Sequence, residues 1–255
     1  VGPLARSVRD VAMALRLMSG PDGADPWCVP VEPPPEPDRA TLPLRLRVGW
    51  LADGGFAPIS ATVRMTVAQA ADALADAGCA VEHVSLPVIQ EAEAEAIPGV
   101  AGAPESAYYF EPFIRGRESE LSPVMSRRLA GPWPTMREYV RRLADWESLR
   151  VGMMQFFRTY DLLLCPTMPT PAYPHGRREI AVDDITIKAR QQLKTVVPWN
   201  LTGSPALSLP FGMSADGLPI GVQLVGRHFD EATVLQAALA LEQVSAVRNL
   251  RPPLG

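Results

Sequence analysis

Apolar and polar residues alternate along the first third of the chain in patterns that predict a helix followed by a strand–helix–strand unit. The segment "SVRDVAMALRLMSG" repeats apolar residues at helical spacing between a capping serine and a glycine, which predicts a helix over 7–20. A second helix, "SATVRMTVAQAADALADAG" (60–78), separates the strands "RLRVGWL" (45–51) and "CAVEHVSLP" (79–87). This order favours a parallel strand pair with a right-handed crossover.

The rest of the chain carries a long helical region and three short apolar strands. Residues 89–160 are predicted to be mostly helical. The runs "DLLLC" (161–165), "PALSLP" (205–210) and "IGVQLVG" (220–226) are typical of strands buried on both faces. The segment "DEATVLQAALALEQV" begins with acidic residues that suit a helix N-terminus, so it predicts a final helix. The fold class is therefore α/β, with a mixed sheet flanked by helices.

The domain organisation follows from the same pass along the chain. We interpret residues 1–255 as part of a single domain that contains a proline-rich connection (29–44), a βαβ unit (45–87), a helical region (89–160) and terminal strands with a helix (161–255). The 27 prolines are about twice the average usage. They concentrate in the 29–44 connection and in "CPTMPTPAYPHG" (165–176), where they favour a stiff loop after a strand.

Charge and cysteine content exclude several classes of protein. The formal net charge is −4 and the arginines are scattered, which gives no electrostatic case for binding nucleic acid or an anionic membrane. No apolar stretch approaches the roughly 20 residues that a membrane span needs. The three cysteines, Cys28, Cys79 and Cys165, are odd in number and far apart. They indicate reduced thiols of a cytoplasmic protein, without the spacing of metal ligands.

The first candidate nucleophile is Ser204, in "PWNLTGSPALSLPFG" (198–212). It lacks the Gly-x-Ser-x-Gly pattern of a nucleophile elbow, and the proline after it removes an amide that an oxyanion hole would use. We interpret it as a turn serine before a strand.

The histidines, His83, His175 and His228, lie in a strand, a loop and a turn, and none has a paired acidic motif. They are interpreted as surface or loop residues.

No cofactor or metal motif emerges from the sequence. The stretch "GWLADGG" (49–55) lacks the Gly-x-Gly-x-x-Gly spacing of a dinucleotide loop, and the following helix begins too late. Glu91, Glu93 and Glu95 alternate with alanine, which favours a solvated helix start over a metal site. Within the chain, nothing assembles a catalytic set, so we predict no catalytic residue, no metal and no cofactor.

Three segments resemble the amidase signature family. They are the opening "VGPLARSVRDVAMALRLMSGPDGADP", the strand and loop "YDLLLCPTMPTPA", and the terminal "WNLTGSPALSLPFGMSADGLPIGVQLVGRHFDEATVLQAALALEQ". Together with the βαβ unit, which falls in the family's order, the resemblance covers nearly the whole chain. It implies the amidase signature fold, with this chain as its C-terminal part.

The resemblance implies hydrolysis of carbon–nitrogen amide bonds by a Ser–cis-Ser–Lys triad, with a Gly-Gly-Ser-rich loop that binds the oxyanion. In the family, all of these lie upstream of the segment that opens this chain. No Gly-Gly-Ser-Ser stretch occurs here, and the two lysines, Lys188 and Lys194, lie in "ITIKARQQLKTV", predicted to be an amphipathic helix. We therefore expect a fragment that lacks the nucleophile and is inactive alone. Whether the preceding part is missing from the preparation, the sequence as read or the gene stays open.

Substrate-facing residues are expected in the two loops that adjoin buried strands, where sites of α/β proteins commonly lie. The candidates are Tyr108, from the helical region, and Thr167, Met168, Trp199, Asn200, Thr202 and Gly203, from the loops. The implied partners are a small-molecule amide substrate and the N-terminal part of the same enzyme, and a homodimer is left open. Two alternatives remain: the amidase-type subunit of a glutamine-dependent transfer-RNA amidotransferase, and a non-catalytic remnant that acts as a binding module.

Overall fold

Five strands form the central sheet of the computed structural model, which describes residues 2–38, 45–53, 56, 58–91 and 102–251. Numbered along the chain, the strands are β1 (Arg47–Trp50), β2 (Ala80–His83), β3 (Leu162–Pro166), β4 (Glu179–Val182), β5 (Ile185–Lys188), β6 (Ala206–Met213) and β7 (Pro219–Gly226). Strands β4 and β5 form a separate antiparallel hairpin. The other five form one mixed sheet in the order β2-β1-β3-β7-β6.

The pairing of these strands confirms the α/β prediction. Strand β1 is parallel to both β2 and β3, as the strand–helix–strand pattern predicted for the first pair. Strand β7 runs antiparallel to β3 on one side and to β6 on the other. Pro166 therefore pairs with Val222, so that the carboxyl end of β3 lies beside the beginning of β7.

Eight helices are described. They are α1 (Val8–Met18), α2 (Ala61–Asp76), α3 (Pro87–Glu91), α4 (Gly102–Ile114), α5 (Pro123–Leu129), α6 (Met136–Phe156), α7 (Val197–Thr202) and α8 (Glu231–Val244). Local sequence fixes several of their ends. Thr135 and Glu138 form a reciprocal capping box at the start of α6, and Asp230 accepts a hydrogen bond from the Thr233 amide at the start of α8. No helix among the described residues is long and apolar enough to cross a membrane.

The core lies on both faces of the sheet because successive side chains of a strand point to opposite sides. Leu162 and Leu164 of β3 pack on one face in a cluster with residues of α1, α2 and α8. Leu163 and Cys165 point to the other face, where they pack with residues of α3, α6 and α7. All five residues of β3 are buried, which confirms the prediction for "DLLLC".

Three expectations were wrong. Strand β6 is not buried on both faces, because Leu207 and Leu209 pack in the core while Ala206, Ser208 and Pro210, on the opposite face, are exposed. The predicted helix "ITIKARQQLKTV" is instead strand β5 followed by a 3-10 turn (Ala189–Thr195). Trp199, Asn200 and Thr202 lie in the short helix α7 rather than in a loop.

The proline-rich connection contacts α8 without helix or strand between 29 and 38. The Asp38 amide donates to Gln236 Oε1 at 3.0 Å, and Gln236 Nε2 donates to the Asp38 carbonyl at 2.7 Å. The remainder of that connection, 39–44, lies outside the described residues, as do Gly54, Gly55, Glu93 and Glu95. The interpretations that rest on those glycines and glutamates therefore stay predictions.

Candidate functional site

Two hydroxyl groups meet at the carboxyl end of β3. Thr167, which follows the buried strand, places Oγ1 2.8 Å from Ser208 Oγ of β6, across the intervening strand β7. The residue of β7 between them is Gly221, and a Cβ atom there would lie 3.2 Å from each hydroxyl oxygen. The missing side chain of Gly221 therefore leaves the space in which the hydroxyl pair, Thr167 and Ser208, forms.

A buried polar network supports the loop that carries Thr167. Gln223 is buried, and its Nε2 donates to the Pro166 carbonyl at 3.1 Å and to the Thr195 carbonyl at 3.0 Å. Thr195 in turn donates from Oγ1 to the Thr167 carbonyl at 2.7 Å. A buried amide without partners would cost about 1–3 kcal/mol, so these bonds fix both the side chain and the loop.

Helix α7 closes one side of this region. Trp199 is 3% exposed, donates from Nε1 to the Thr195 carbonyl at 2.8 Å, and contacts Phe56 edge-on with a ring separation of 6.3 Å. Gly203 ends the helix with φ 70°, a left-handed conformation that favours glycine. Thr195 thus links the tryptophan of α7 to the loop after β3.

Ser204 lies between α7 and β6, at the turn predicted for it. Its Oγ lies 2.9 Å from Oγ1 of Thr202, which is also buried. His228 hydrogen-bonds through Nε2 to the Thr202 carbonyl rather than to either hydroxyl. In the part of the chain that the structure describes, neither Ser204 nor Ser208 is hydrogen-bonded to a histidine or lysine.

The structure brings some of the sequence candidates together and separates others. Thr167 and Trp199 share Thr195 as a hydrogen-bond partner. Thr202 and Gly203 end the same short helix, where Gly203 lies beside His228 at the start of β6 rather than beside Thr167. Met168 is half-buried after Thr167, and Asn200 is exposed on α7. Tyr108 lies on α4 and is 75% exposed, and it lines two cavities with residues of α4, α5 and the start of α6.

Sequence reasoning missed the partners of Thr167. Ser208, Gly221 and Gln223 belong to strands that were predicted only as apolar cores. The signal for Gln223 was present, because a glutamine within "IGVQLVG" must find partners inside the sheet. Nothing in the sequence places Ser208 opposite Thr167, since that contact depends on the strand order.

Burial controls the chemistry of the two core cysteines. Burial raises the pKa of the Cys165 thiol to about 12. Burial also raises the pKa of Cys79, to about 11, although a hydrogen bond with the backbone of Leu46 opposes part of this effect. Both are therefore neutral thiols at ordinary pH. Among the described residues, no group of three or more histidine, cysteine, aspartate or glutamate side chains is placed to hold a metal ion.

These features define an α/β protein whose candidate site lies at the carboxyl end of a central strand. The sequence model of the Amidase family matches residues 1–235, and the chain belongs to that family. Its relatives include the glutamyl-tRNA(Gln) amidotransferase subunits A of Roseiflexus sp. (32% identity, 100% of this chain, 56% of that protein) and Rhodospirillum rubrum (34%, 96% and 53%).

Solved structures give the same fold. One of them comes from a vestigial protein complex that bears on the evolutionary origins of an s-triazine catabolic enzyme. Its sequence is 29% identical to this chain, with a TM-score of 0.81 over 95% of this chain and 52% of that one. The 6-aminohexanoate cyclic dimer hydrolase is also 29% identical, with a TM-score of 0.76 over 98% of this chain and 55% of that one. This chain spans about half the length of the relatives that it matches.

Proposed function

We propose that this chain supplies the substrate-binding half of a carbon–nitrogen hydrolase of the amidase family. The observation that carries the proposal is the hydroxyl pair of Thr167 and Ser208 at the carboxyl end of β3, held by the Gln223 and Thr195 network. An amide offers one carbonyl acceptor and, unless fully substituted, N–H donors. Paired hydroxyl groups suit such a ligand because each can donate and accept a hydrogen bond.

The nucleophile is proposed to come from residues outside these 255. The sequence contains no Gly-Gly-Ser-Ser stretch. Lys188 lies at the end of β5 and Lys194 in the 3-10 turn. Neither matches the lysine position that the resemblance to the family implies. An activated serine needs an adjacent base, and neither Ser204 nor Ser208 is hydrogen-bonded to one among the described residues.

The residues proposed to face the amide substrate come from two segments, the loop after β3 and helix α7 with its cap. Thr167, Met168, Asn200 and Gly203 are accessible to different degrees. Trp199 and Thr202 are buried, and in this proposal they set the shape of the site from within. Tyr108 belongs to a separate group of aromatic residues on α4 and is considered below.

The first test measures activity in the purified chain. Turnover of a small aryl amide, and labelling by a serine-reactive fluorophosphonate, should both be at background, because loss of a nucleophile system removes several orders of magnitude in rate. Turnover that disappears in Ser204→Ala or Ser208→Ala would show that the chain carries its own nucleophile and would contradict the proposal.

The second test restores the missing half. Co-expression with the part of the Roseiflexus relative that lies outside the matched region should give a complex that hydrolyses the aryl amide. In that complex, Thr167→Val and Ser208→Ala should each raise KM or lower kcat/KM by about five- to twenty-fold, as expected for a lost hydrogen bond to substrate. Ser148→Ala is the matched control, because Ser148 bonds only within α6, to the Ala144 carbonyl. Equal losses in all three variants would place the substrate elsewhere.

A second candidate function is that of a glutamine-hydrolysing subunit in a transfer-RNA amidotransferase. The observation that favours it is the name shared by the curated relatives, of which those from Roseiflexus sp. and Rhodospirillum rubrum are 32% and 34% identical. The restored complex distinguishes the two functions. Ammonia release from glutamine in preference to aryl amides, with stimulation by the other subunits of such an enzyme, would favour the amidotransferase role.

A further inference from the structure

Helices α4 and α5, the start of α6 and the turn before it flank an open groove lined by aromatic side chains. Two adjacent cavities of about 440 and 410 Å³ share Pro104, Tyr108 and Trp133. We define the aromatic groove as the second cavity, where Tyr108, Tyr109, Trp133 and Tyr139 are joined by Glu105 and Met136. Its volume lies within the range of about 300–1,000 Å³ that is typical of small-molecule sites.

The aromatic rings of the groove are held in place by the backbone and by each other. Gly131 has φ 79°, and a Cβ atom there would lie 3.3 Å from the Trp133 amide nitrogen and 3.7 Å from its ring. Trp133 thus packs against the turn that precedes it. Tyr108 and Tyr109 contact edge-on, with a ring separation of 5.6 Å and an interplanar angle of 80°. Such contacts limit the movement of side chains that are 75% and 69% exposed.

One carboxylate gives the groove its charge. The Tyr139 hydroxyl donates to Glu105 Oε1 at 2.8 Å, and this bond raises the pKa of Tyr139 because it favours the protonated phenol. The neighbouring Glu111 differs, because it forms an ion pair with Arg115 at 2.7 Å. No described arginine or lysine forms an ion pair with Glu105, and none lines either cavity.

We propose that the aromatic groove binds the ammonium group of a small molecule, with alkyl-substituted ammonium as the preferred class. Aromatic faces attract such cations through the negative potential of their rings, and several rings around one cation are the usual recognition of quaternary ammonium. Glu105 adds a charge of the opposite sign, and Met136 contacts the methyl groups with an adaptable apolar side chain. Binding of this kind needs no hydrolysis, so it goes beyond the proposed function and is measured without turnover.

The experiment compares choline with its neutral isostere 3,3-dimethylbutan-1-ol by ligand-observed NMR titration of the purified chain. The two ligands have the same shape, so their difference reports the charge alone. Choline should bind about two- to five-fold more tightly, the range expected for an exposed cation–π site. Glu105→Gln should reduce that preference, and Trp133→Ala should reduce choline affinity further.

Two controls separate the groove from general effects. Glu118→Gln removes an exposed carboxylate that lies outside the groove and should leave choline binding unchanged. Circular dichroism will show whether Trp133→Ala folds. If it does not, Trp133→Phe takes its place, and this variant should retain part of the choline affinity because it keeps an aromatic face. Three results would overturn the proposal. They are no choline binding, equal affinity for the two ligands, and a preference for choline that is unchanged in both Glu105→Gln and Trp133→Phe. In each of these cases the proposed hydrolase function would still stand on its own tests.

Discussion

At the scale of single residues, the three cysteines differ in reactivity because they differ in burial. Thiolate is the nucleophilic form, and a pKa raised to about 12 for Cys165 leaves about one thiol in ten thousand ionised at pH 8. Cys79, with a pKa of about 11, is ionised about one time in a thousand. Cys28 is only half-buried. We therefore expect one thiol to react quickly with a disulfide reagent at pH 8 and the other two to react only after unfolding.

The control for this prediction is Cys28→Ser, which should leave no rapidly reacting thiol in the native chain. Raising the pH from 7 to 9 should still leave Cys79 and Cys165 slow to react, because their thiolate fractions stay small below their raised pKa values. Two or more fast thiols in the native protein would show that the core opens readily.

Gly221 is the second residue whose role is testable. In Gly221→Ala the new Cβ would lie 3.2 Å from the hydroxyl oxygens of both Thr167 and Ser208, so both groups must shift by a few tenths of an ångström and their hydrogen bond is weakened. We expect a loss of about 1 kcal/mol in the free energy of unfolding, the usual value of one hydrogen bond, measured by urea denaturation. In a Ser208→Ala background the same change should cost less, because the contact has already gone. If Gly221→Ala lowers the free energy of unfolding equally in both backgrounds, the hydrogen bond between Thr167 and Ser208 does not explain the loss.

The sequence placed Thr167 at a strand end correctly, but it did not identify the partners of that residue. A loop after a buried strand is readable from the proline and threonine pattern "CPTMPTP". The contacts with Ser208 and over Gly221 depend on β6 and β7 lying next to β3 in that order. Such long-range neighbours leave no local pattern in one sequence.

At the scale of elements, Arg227 ties α6 to the sheet. Its Nε donates to the Phe157 carbonyl at 2.9 Å, where α6 ends, and its Nη2 donates to the Tyr160 carbonyl at 3.2 Å and to Asp161 at 2.5 Å. A guanidinium can satisfy all three acceptors at once, whereas a methionine satisfies none. We expect Arg227→Met to lower the free energy of unfolding by about 2 kcal/mol in urea titrations.

A matched control is Arg117→Met. Arg117 also forms a short ion pair, with Glu120 at 2.6 Å, but both side chains are well exposed and belong to one turn. Exposed pairs contribute about 0–1 kcal/mol, so the control should lose much less stability than Arg227→Met. If the two variants lose the same amount, Arg227 acts only as a surface charge and α6 is held by packing alone.

Element prediction succeeded where one periodicity dominates and failed where two patterns compete. The helices α1, α2 and α8 have regular apolar spacing and were predicted with ends within a few residues. The β4–β5 hairpin was missed because the lysines and glutamines after Ile185 imitate a helix, while the alternation in "EIAV" is only four residues long. Helix α7 was missed because its proline suggested a loop, although proline is tolerated in the first turn of a helix.

At the scale of the whole molecule, the described residues leave apolar surface and a sheet edge without cover from one another. Leu17 is 82% and Met13 62% exposed, one turn apart on the outer face of α1. Strand β6 has no described neighbour on its outer side, and its eight residues form a long edge. Open edges and apolar patches are the usual surfaces for association.

The purified chain is therefore expected to self-associate. Light scattering after size exclusion should give a mass above that of one chain, increasing with concentration, and a hydrophobic dye should bind. Ala206→Lys places a charge on the exposed side of β6 and should shift the population toward monomer, because lysine on an edge strand opposes pairing. Leu17→Glu should reduce dye binding more than it changes the mass, since α1 packs on α8 and does not form part of that edge. A monodisperse monomer that binds no dye would show that neither surface drives association in water, and that the described fold is stable with both surfaces exposed.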